Sequence, residues 1–112
     1  MKKIQMIIRP EKFDDLKEII SKYEITGMMI SNVMGYGNQY GFKQTYRGSS
    51  YSVNLVSKLK VETAVKDEIV EPMLTDISKE LSTGKIGDGK VFVYDLDEVM
   101  RIRTGERGED AL

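Results

Sequence analysis

Residues 83–90 read Thr-Gly-Lys-Ile-Gly-Asp-Gly-Lys, the stretch of this chain best suited to holding an anion. Its glycines let backbone N–H groups come close to a phosphate, and Lys90 adds charge. Gly84 to Lys90 fits G-x-x-x-x-G-K, but Val91 stands where a P-loop needs Ser or Thr to hold magnesium. The surroundings are also inverted, because this segment follows a helical pattern and opens a strand, whereas a P-loop follows a strand and opens a helix. A P-loop nucleotidase is therefore excluded, and two readings stay open: a phosphate-cradling loop, or a helix C-cap at Gly84 followed by a glycine turn. Arg101-Ile102-Arg103 would place two guanidinium groups on one side of a strand, a spacing that suits a polyphosphate or merely guards a charged edge strand. Gly35-Tyr36-Gly37-Asn38-Gln39-Tyr40-Gly41 misses G-x-G-x-x-G by one residue, and no helix follows it. Lys58, Lys60 and Glu62 share one face of a strand, where solvation is the default.

What the chain lacks narrows the chemistry further. It has no His and no Cys among its 112 residues, so Ser–His–Asp and Cys–His catalysis, disulfides and thiolate-bound metals are out. No carboxylate pair has a spacing that marks it for acid–base work, and no metal site built from protein alone can be placed. With 17 Lys and Arg against 18 Asp and Glu, the net charge of -1 argues against a duplex-DNA surface, which needs many phosphate contacts. The opening MKKIQMII is too short an apolar run for a signal peptide, and no later run approaches the ~18 residues of a membrane span. A cytoplasmic protein with no membrane insertion is the expectation.

The elements that must position these residues follow from periodicity. Ile4, Met6 and Ile8 alternate as in a strand; Pro10 opens a helix whose apolar residues are Phe13, Leu16, Ile19, Ile20 and Tyr23; Gly27 ends the connection, and Met28–Met34 reads as a second strand. The order then repeats. Leu59, Val61, Thr63 and Val65 alternate, Asp67 is placed to cap a helix carrying Ile69, Met73, Ile77 and Leu81, and Val91–Tyr94 closes with a strand. Two such units predict a single α+β domain over 1–112, a ferredoxin-like βαββαβ sheet with both helices on one face. Pro72 requires that the second helix start later than Asp67 or kink. Leu96 to Arg103 reads as a helical turn and a short edge strand, and residues from about 106 to 112 as a flexible polar tail.

Between the two units lies a segment of about 36–55, too long for a simple turn. It holds Tyr36, Tyr40, Phe42, Tyr46 and Tyr51 among glycines and serines. Either it is an extended hairpin with packed aromatics, or it is a flexible arm that orders against a partner through aromatic and Arg anchors.

These residues together resemble the PII signal-transduction family from Met1 to about Glu106. Tyr46-Arg47-Gly48-Ser49-Ser50-Tyr51 resembles the family's signature in its long T-loop, and Thr83 to Val93 resembles its second signature. Ile7-Ile8-Arg9-Pro10 and Arg101-Ile102-Arg103-Thr104-Gly105-Glu106 are also similar to the family pattern. The resemblance implies a homotrimer with ATP or ADP in clefts between subunits, magnesium accompanying ATP. Gly87, Asp88, Gly89 and Lys90 would wrap the phosphates, with Arg101 and Arg103 reaching in from the neighbouring subunit. Ile7, Glu62 and Ala64 would line the adenosine pocket, with Gly35, Tyr36 and Gly37 at the root of the loop and Gly27 and Met28 across the interface. Asn38, Gln39 and Lys58 fall at the effector end, where family members bind 2-oxoglutarate. Tyr40, Phe42, Tyr46, Arg47 and Tyr51 would meet a partner, and Tyr51 is the position open to nucleotidylation.

Departures from the pattern cluster at this end. Asn38 stands where Arg is usual, Met29 where Thr is usual, Gln44 where an acid is frequent, and Ser50 where Glu or Ala is usual. Loss of the cation at 38 weighs against 2-oxoglutarate sensing. The resemblance thus implies a trimeric regulator, not an enzyme, that reads ATP against ADP. It would act through its loop on a membrane transporter or a transporter's ATPase subunit, and so gather at the membrane without entering it. Two alternatives share the scaffold. A slow nucleotide or acyl-phosphate hydrolase would use Lys90 and the arginines but lacks an evident base. A single-stranded RNA binder would need aromatics on the strands, and here most lie in the loop.

Overall fold

Alternation of apolar and polar residues in Lys2–Ile8 forms strand β1, whose Ile4, Met6 and Ile8 are at most 2% exposed. The computed structural model describes the backbone of residues 1–36, 43–46, 49–52 and 55–112, and the side chains of 1–36 and 55–112. Pro10–Lys12 makes a 3-10 turn with proline in its first turn, as the fixed φ of that residue favours. It leads into α1 (Phe13–Lys22), which buries Leu16, Ile19 and Ile20 at helical spacing. Strands β2 (Met29–Tyr36), β3 (Lys43–Tyr46), β4 (Ser49–Ser52) and β5 (Leu55–Val65) follow, then α2 (Asp67–Leu81) and β6 (Gly89–Asp95).

Four of the strands form one sheet in the order β2-β5-β1-β6, with every neighbouring pair antiparallel. This is the split βαββαβ arrangement that the repeated periodicity predicts. Met6 pairs with Val61 on one side and Val91 on the other, so register fixes which side chains share a face. The core lies between that face and the helices: Ile4, Met6, Ile8, Val61 and Val65 meet Leu16, Ile19 and Ile20 of α1 and Val70, Met73, Ile77 and Leu81 of α2. The opposite face has no helix over it among the described residues. It carries Lys3, Gln5, Ile7, Lys60, Glu62, Phe92 and Tyr94, with Met29 at its β2 edge 76% exposed.

Several boundaries differ from the sequence-based expectation. Strand β2 continues past Met34 through Gly35 and Tyr36, and β5 begins at Leu55, because the two strands stay in register to Tyr36↔Leu55. Within the intervening segment, β3 and β4 pair as a two-stranded hairpin, Gln44 opposite Tyr51 and Tyr46 opposite Ser49. Gly37, Asn38, Gln39, Tyr40, Phe42 and Arg47 lie outside the described residues, as do the side chains of Tyr46 and Tyr51.

Asp67 does not cap α2. The N-cap is Lys66, with no side-chain cap bond, while the Asp67 carboxylate accepts from the Met1 amino group at 2.6 Å. The buried stripe starts at Val70, with Ile69 only partly covered. Pro72 sits inside the helix. It has no N–H to offer the Glu68 carbonyl, yet the helix runs on to Leu81, held on both sides of the proline by buried Val70, Met73 and Ile77. The two helices are joined at one edge: the Tyr23 hydroxyl and the Lys22 ammonium both donate to Asp76 Oδ2.

The edge strand and polar tail expected at the C-terminal end are replaced by a closed turn. Arg101 and Arg103 are not on one side of a strand, since Ile102–Thr104 form a turn in which Ile102 is 91% exposed. The Gly105 N–H donates to the Arg101 carbonyl and the Arg101 N–H to the Glu106 carbonyl, each at 2.8 Å, with Gly105 at φ +75° and a bridge from Met100 to Arg107 closing the ring. Gly108–Ala111 then forms a short 3-10 helix.

Two substitutions test the packing, read by urea denaturation. Gly89 has φ +104°, and a Cβ there would lie 1.8 Å from the Ile7 carbonyl oxygen. Gly89→Ala is expected to cost more than about 2 kcal/mol, and a loss under about 0.5 kcal/mol would show that the β1–β6 contact is placed wrongly. Thr63, only 7% exposed, donates to the Gly27 carbonyl at 2.6 Å and ties the α1–β2 connection to β5. Thr63→Val leaves that carbonyl without its donor, for an expected loss of about 1–2 kcal/mol.

Candidate functional site

The glycine segment is built around one carboxylate. Asp88 Oδ2 accepts from the Thr83 N–H at 2.8 Å and the Gly84 N–H at 3.0 Å, and Oδ1 accepts from the Thr83 hydroxyl and from Arg9 Nε at 3.0 Å. These donors, the Thr83 hydroxyl foremost, hold the Asp88 carboxyl well below the usual carboxylate range. The loop is thereby closed on itself just past the end of α2. Gly84, Gly87 and Gly89 all have positive φ, a conformation glycine adopts without steric cost.

Two cations approach the loop from the sheet. Arg9, immediately after β1, donates through Nη2 to the Ile86 carbonyl at 2.9 Å, and Lys58 of β5 donates to the Gly87 carbonyl. Lys58 is 7% exposed, and burial together with the Arg9 charge pushes its ammonium below the ordinary lysine value. Its stem runs beside Gly35, where a Cβ would sit 3.4 Å from Lys58 Cγ. Lys58, expected at the effector end, thus spans from the root of the long segment to the glycine loop.

The predicted site residues fall into two groups. Ile7 pairs with Lys90 across β1–β6, and a cavity of about 380 Å³ between β6 and α2 is lined by Asp88, Gly89 and Lys90 together with Leu74, Ile77 and Leu81 of the helix. Gly87 is tied to this end through Lys58, and Gly35 and Tyr36 close the β2–β5 ladder beside it. The second group is elsewhere. Gly27, Ala64 and Arg101 line a separate cavity of about 710 Å³, and Met28 follows Gly27 just before β2 begins. Glu62 lies between the groups on β5, opposite Met29, with Lys3 Nζ at 2.7 Å and Lys60 Nζ at 3.6 Å; the contact with Lys3 holds its carboxyl below the ordinary range. Ile7 is opposite Lys60, and Ala64 is four positions further along β5, about 13 Å at 3.3 Å per residue.

The arginines stay with the second group. Arg101 Nη1 pairs with Glu106 at 3.0 Å and Nη2 donates to the Leu112 carbonyl at 3.2 Å, while Arg103 is exposed on the turn. One chain therefore presents Lys90 in one place and Arg101 in another. No group of three or more His, Cys, Asp or Glu among the described residues could hold a metal ion, and no described helix is long and apolar enough to cross a membrane.

Two residues central to this geometry were not singled out as site residues by the sequence. Arg9 is visible there only as part of Ile-Ile-Arg-Pro, although a cation directly after a strand is a usable sign. Thr83 precedes the glycines, and its five-residue spacing to Asp88 is the trace of the closed loop.

Comparison with known proteins gives the family. Residues 1–106 match the family model described as Nitrogen regulatory protein P-II. The nitrogen regulatory proteins P-II of Pasteurella multocida (strain Pm70) and Haemophilus influenzae (strain ATCC 51907 / DSM 11121 / KW20 / Rd) are 50% and 47% identical to the chain, over the full length of both partners in each comparison. Nitrogen regulatory protein P-II 1 of Escherichia coli (strain K12) is 46% identical, again over 100% of both chains. The chain belongs to the P-II nitrogen regulatory family, whose members are signal-transduction regulators and not enzymes.

Proposed function

We propose that this regulator binds ATP or ADP in clefts completed between copies of the chain, as a homotrimer. It passes nucleotide state to a target through the segment between β2 and β5. The observation that carries the reading is the separation of Lys90 from Arg101 on one chain, Lys90 lying in β6 beside the glycine loop and Arg101 in the turn held by Glu106 and the Leu112 carbonyl. An anion gripped by both needs the glycine-loop group of one copy and the Arg101 group of another. The sheet face that no helix covers among the described residues, bearing Phe92, Tyr94 and the exposed Met29, supports burial against a neighbouring copy.

In this reading Gly87, Asp88, Gly89 and Lys90 hold the phosphates, and Arg101 and Arg103 of the neighbour neutralise them. Ile7, Glu62 and Ala64, with Gly27 and Met28, enclose the adenosine. Magnesium enters with ATP, bound by phosphate oxygens more than by this chain. Lys58 is the link to the target: a γ-phosphate that changes its hold on Gly87 also changes the packing beside Gly35, and so biases the segment that begins there. The target class is a membrane transporter or its ATPase subunit, met by Tyr40, Phe42, Tyr46, Arg47 and Tyr51. With Asn38 in place of a cation, the signal is nucleotide and not 2-oxoglutarate, and Tyr51 is the position at which nucleotidylation would act.

Calorimetry with ATP and ADP tests the ligand, and failure of both to bind at millimolar concentration contradicts the reading. Arg101→Ala with Arg103→Ala should weaken either nucleotide by roughly 10-fold or more, the size of one or two lost charge-assisted contacts, without unfolding the chain. Sedimentation of the wild type should give three times the chain mass, and a monomer at working concentration would leave the cleft without its second half.

A further inference from the structure

The glycine loop needs more than glycines to present donors in one direction. In a trans peptide the N–H points opposite to the C=O of the same unit. The Ile86 carbonyl belongs to the unit that carries the Gly87 N–H, and the Gly87 carbonyl to the unit that carries the Asp88 N–H. Arg9 holds the first carbonyl at 2.9 Å and Lys58 holds the second. Both cations come from the sheet, Arg9 at the end of β1 and Lys58 on β5, so the two N–H groups are turned away from it. A free glycine loop would not keep that orientation, because these residues have the widest choice of φ and ψ.

Arg9 is the pivot of this arrangement. Its guanidinium makes two bonds to the loop at once, Nε to Asp88 and Nη2 to the Ile86 carbonyl, with Arg9 and Asp88 side chains 21% and 23% exposed. The planar fork suits that double grip, which a lysine ammonium would not reproduce. Asp88 also offsets the repulsion between Arg9 and Lys58 while it closes Thr83 and Gly84 onto the loop.

We propose that Arg9 is a positioning residue for phosphate binding: by gripping Asp88 and the Ile86 carbonyl, it aims the Gly87 and Asp88 N–H groups at the anion without touching it. This rests on the nucleotide reading above and assigns the Asp88 side chain to the loop's interior, leaving only its N–H for the ligand.

The test is calorimetric titration of ATP and of inorganic tripolyphosphate into the wild type, Arg9→Gln and Arg9→Lys, with the thermal midpoint of each recorded. Arg9→Gln should lose about 10-fold in affinity for both ligands, as expected when donors to a charged group are mis-aimed. Arg9→Lys should recover only part of that loss, since it restores the charge but not the fork, and the midpoints should stay close to the wild type. Thr83→Val, which removes one bond to Asp88 and leaves Arg9 in place, should lose less than Arg9→Gln. Wild-type affinity in Arg9→Gln, or a loss that follows the midpoint in all three variants, overturns the proposal while leaving the nucleotide reading intact. If the wild type binds neither ligand, both fall together.

Discussion

The antiparallel register of β1 between β5 and β6 is the constraint from which the rest of the structure follows. Met6 against Val61 and Val91 sends Ile4, Met6 and Ile8 into the core, and it necessarily turns Ile7 outward between Lys60 and Lys90. A slip of one residue would bury Lys3 and Ile7 and expose the core set. The same register brings the end of β1 up to the glycine loop, so that Arg9 reaches Asp88 and Gly89 lies against the Ile7 carbonyl. The packing of the hydrophobic face and the placement of the glycine loop are thus one decision made by a single strand.

What the sheet cannot do is close the site. Two helices cover one face of the sheet, and among the described residues no further layer covers the other. The residues expected to share a ligand are spread along the sheet, from Ile7 opposite Lys60 to Glu62 and Ala64 on β5, and the cations at the two ends are bound into different local structures. Lys90 belongs to the strand that leaves the glycine loop, while Arg101 is anchored by Glu106 and the Leu112 carbonyl. Assembly with a second copy is the simplest way for such a chain to surround a polyphosphate. It also explains how a protein without His or Cys serves as a regulator, since binding and release need no group that titrates near neutrality.

Periodicity made most of the fold legible, and long-range contacts account for what it missed. Alternation in β1 and the helical stripe of α1 are local patterns, and they are read correctly from residue spacing alone. Asp67 looked like a cap because helix caps have a local signature, but its carboxylate is taken by Met1, 66 positions away. Arg101-Ile102-Arg103 looked like a strand, and Gly105 with the bridge to Arg107 folds it into a turn instead. In the site, the glycines and Lys90 were visible as a motif. The role of Arg9 was not, because its partner lies 79 residues along the chain and no local spacing announces it.

The central claim is that the two halves of the binding site come from different copies, and mixed oligomers test it most directly. Lys90→Ala chains and chains carrying both Arg101→Ala and Arg103→Ala should each bind ATP poorly alone. When the two are unfolded together and refolded as mixed oligomers, some clefts join an intact Lys90 to intact arginines, and a fraction of sites with wild-type affinity should return in calorimetry. If no such fraction appears although mixed oligomers have formed, both halves act within one chain and the account is contradicted.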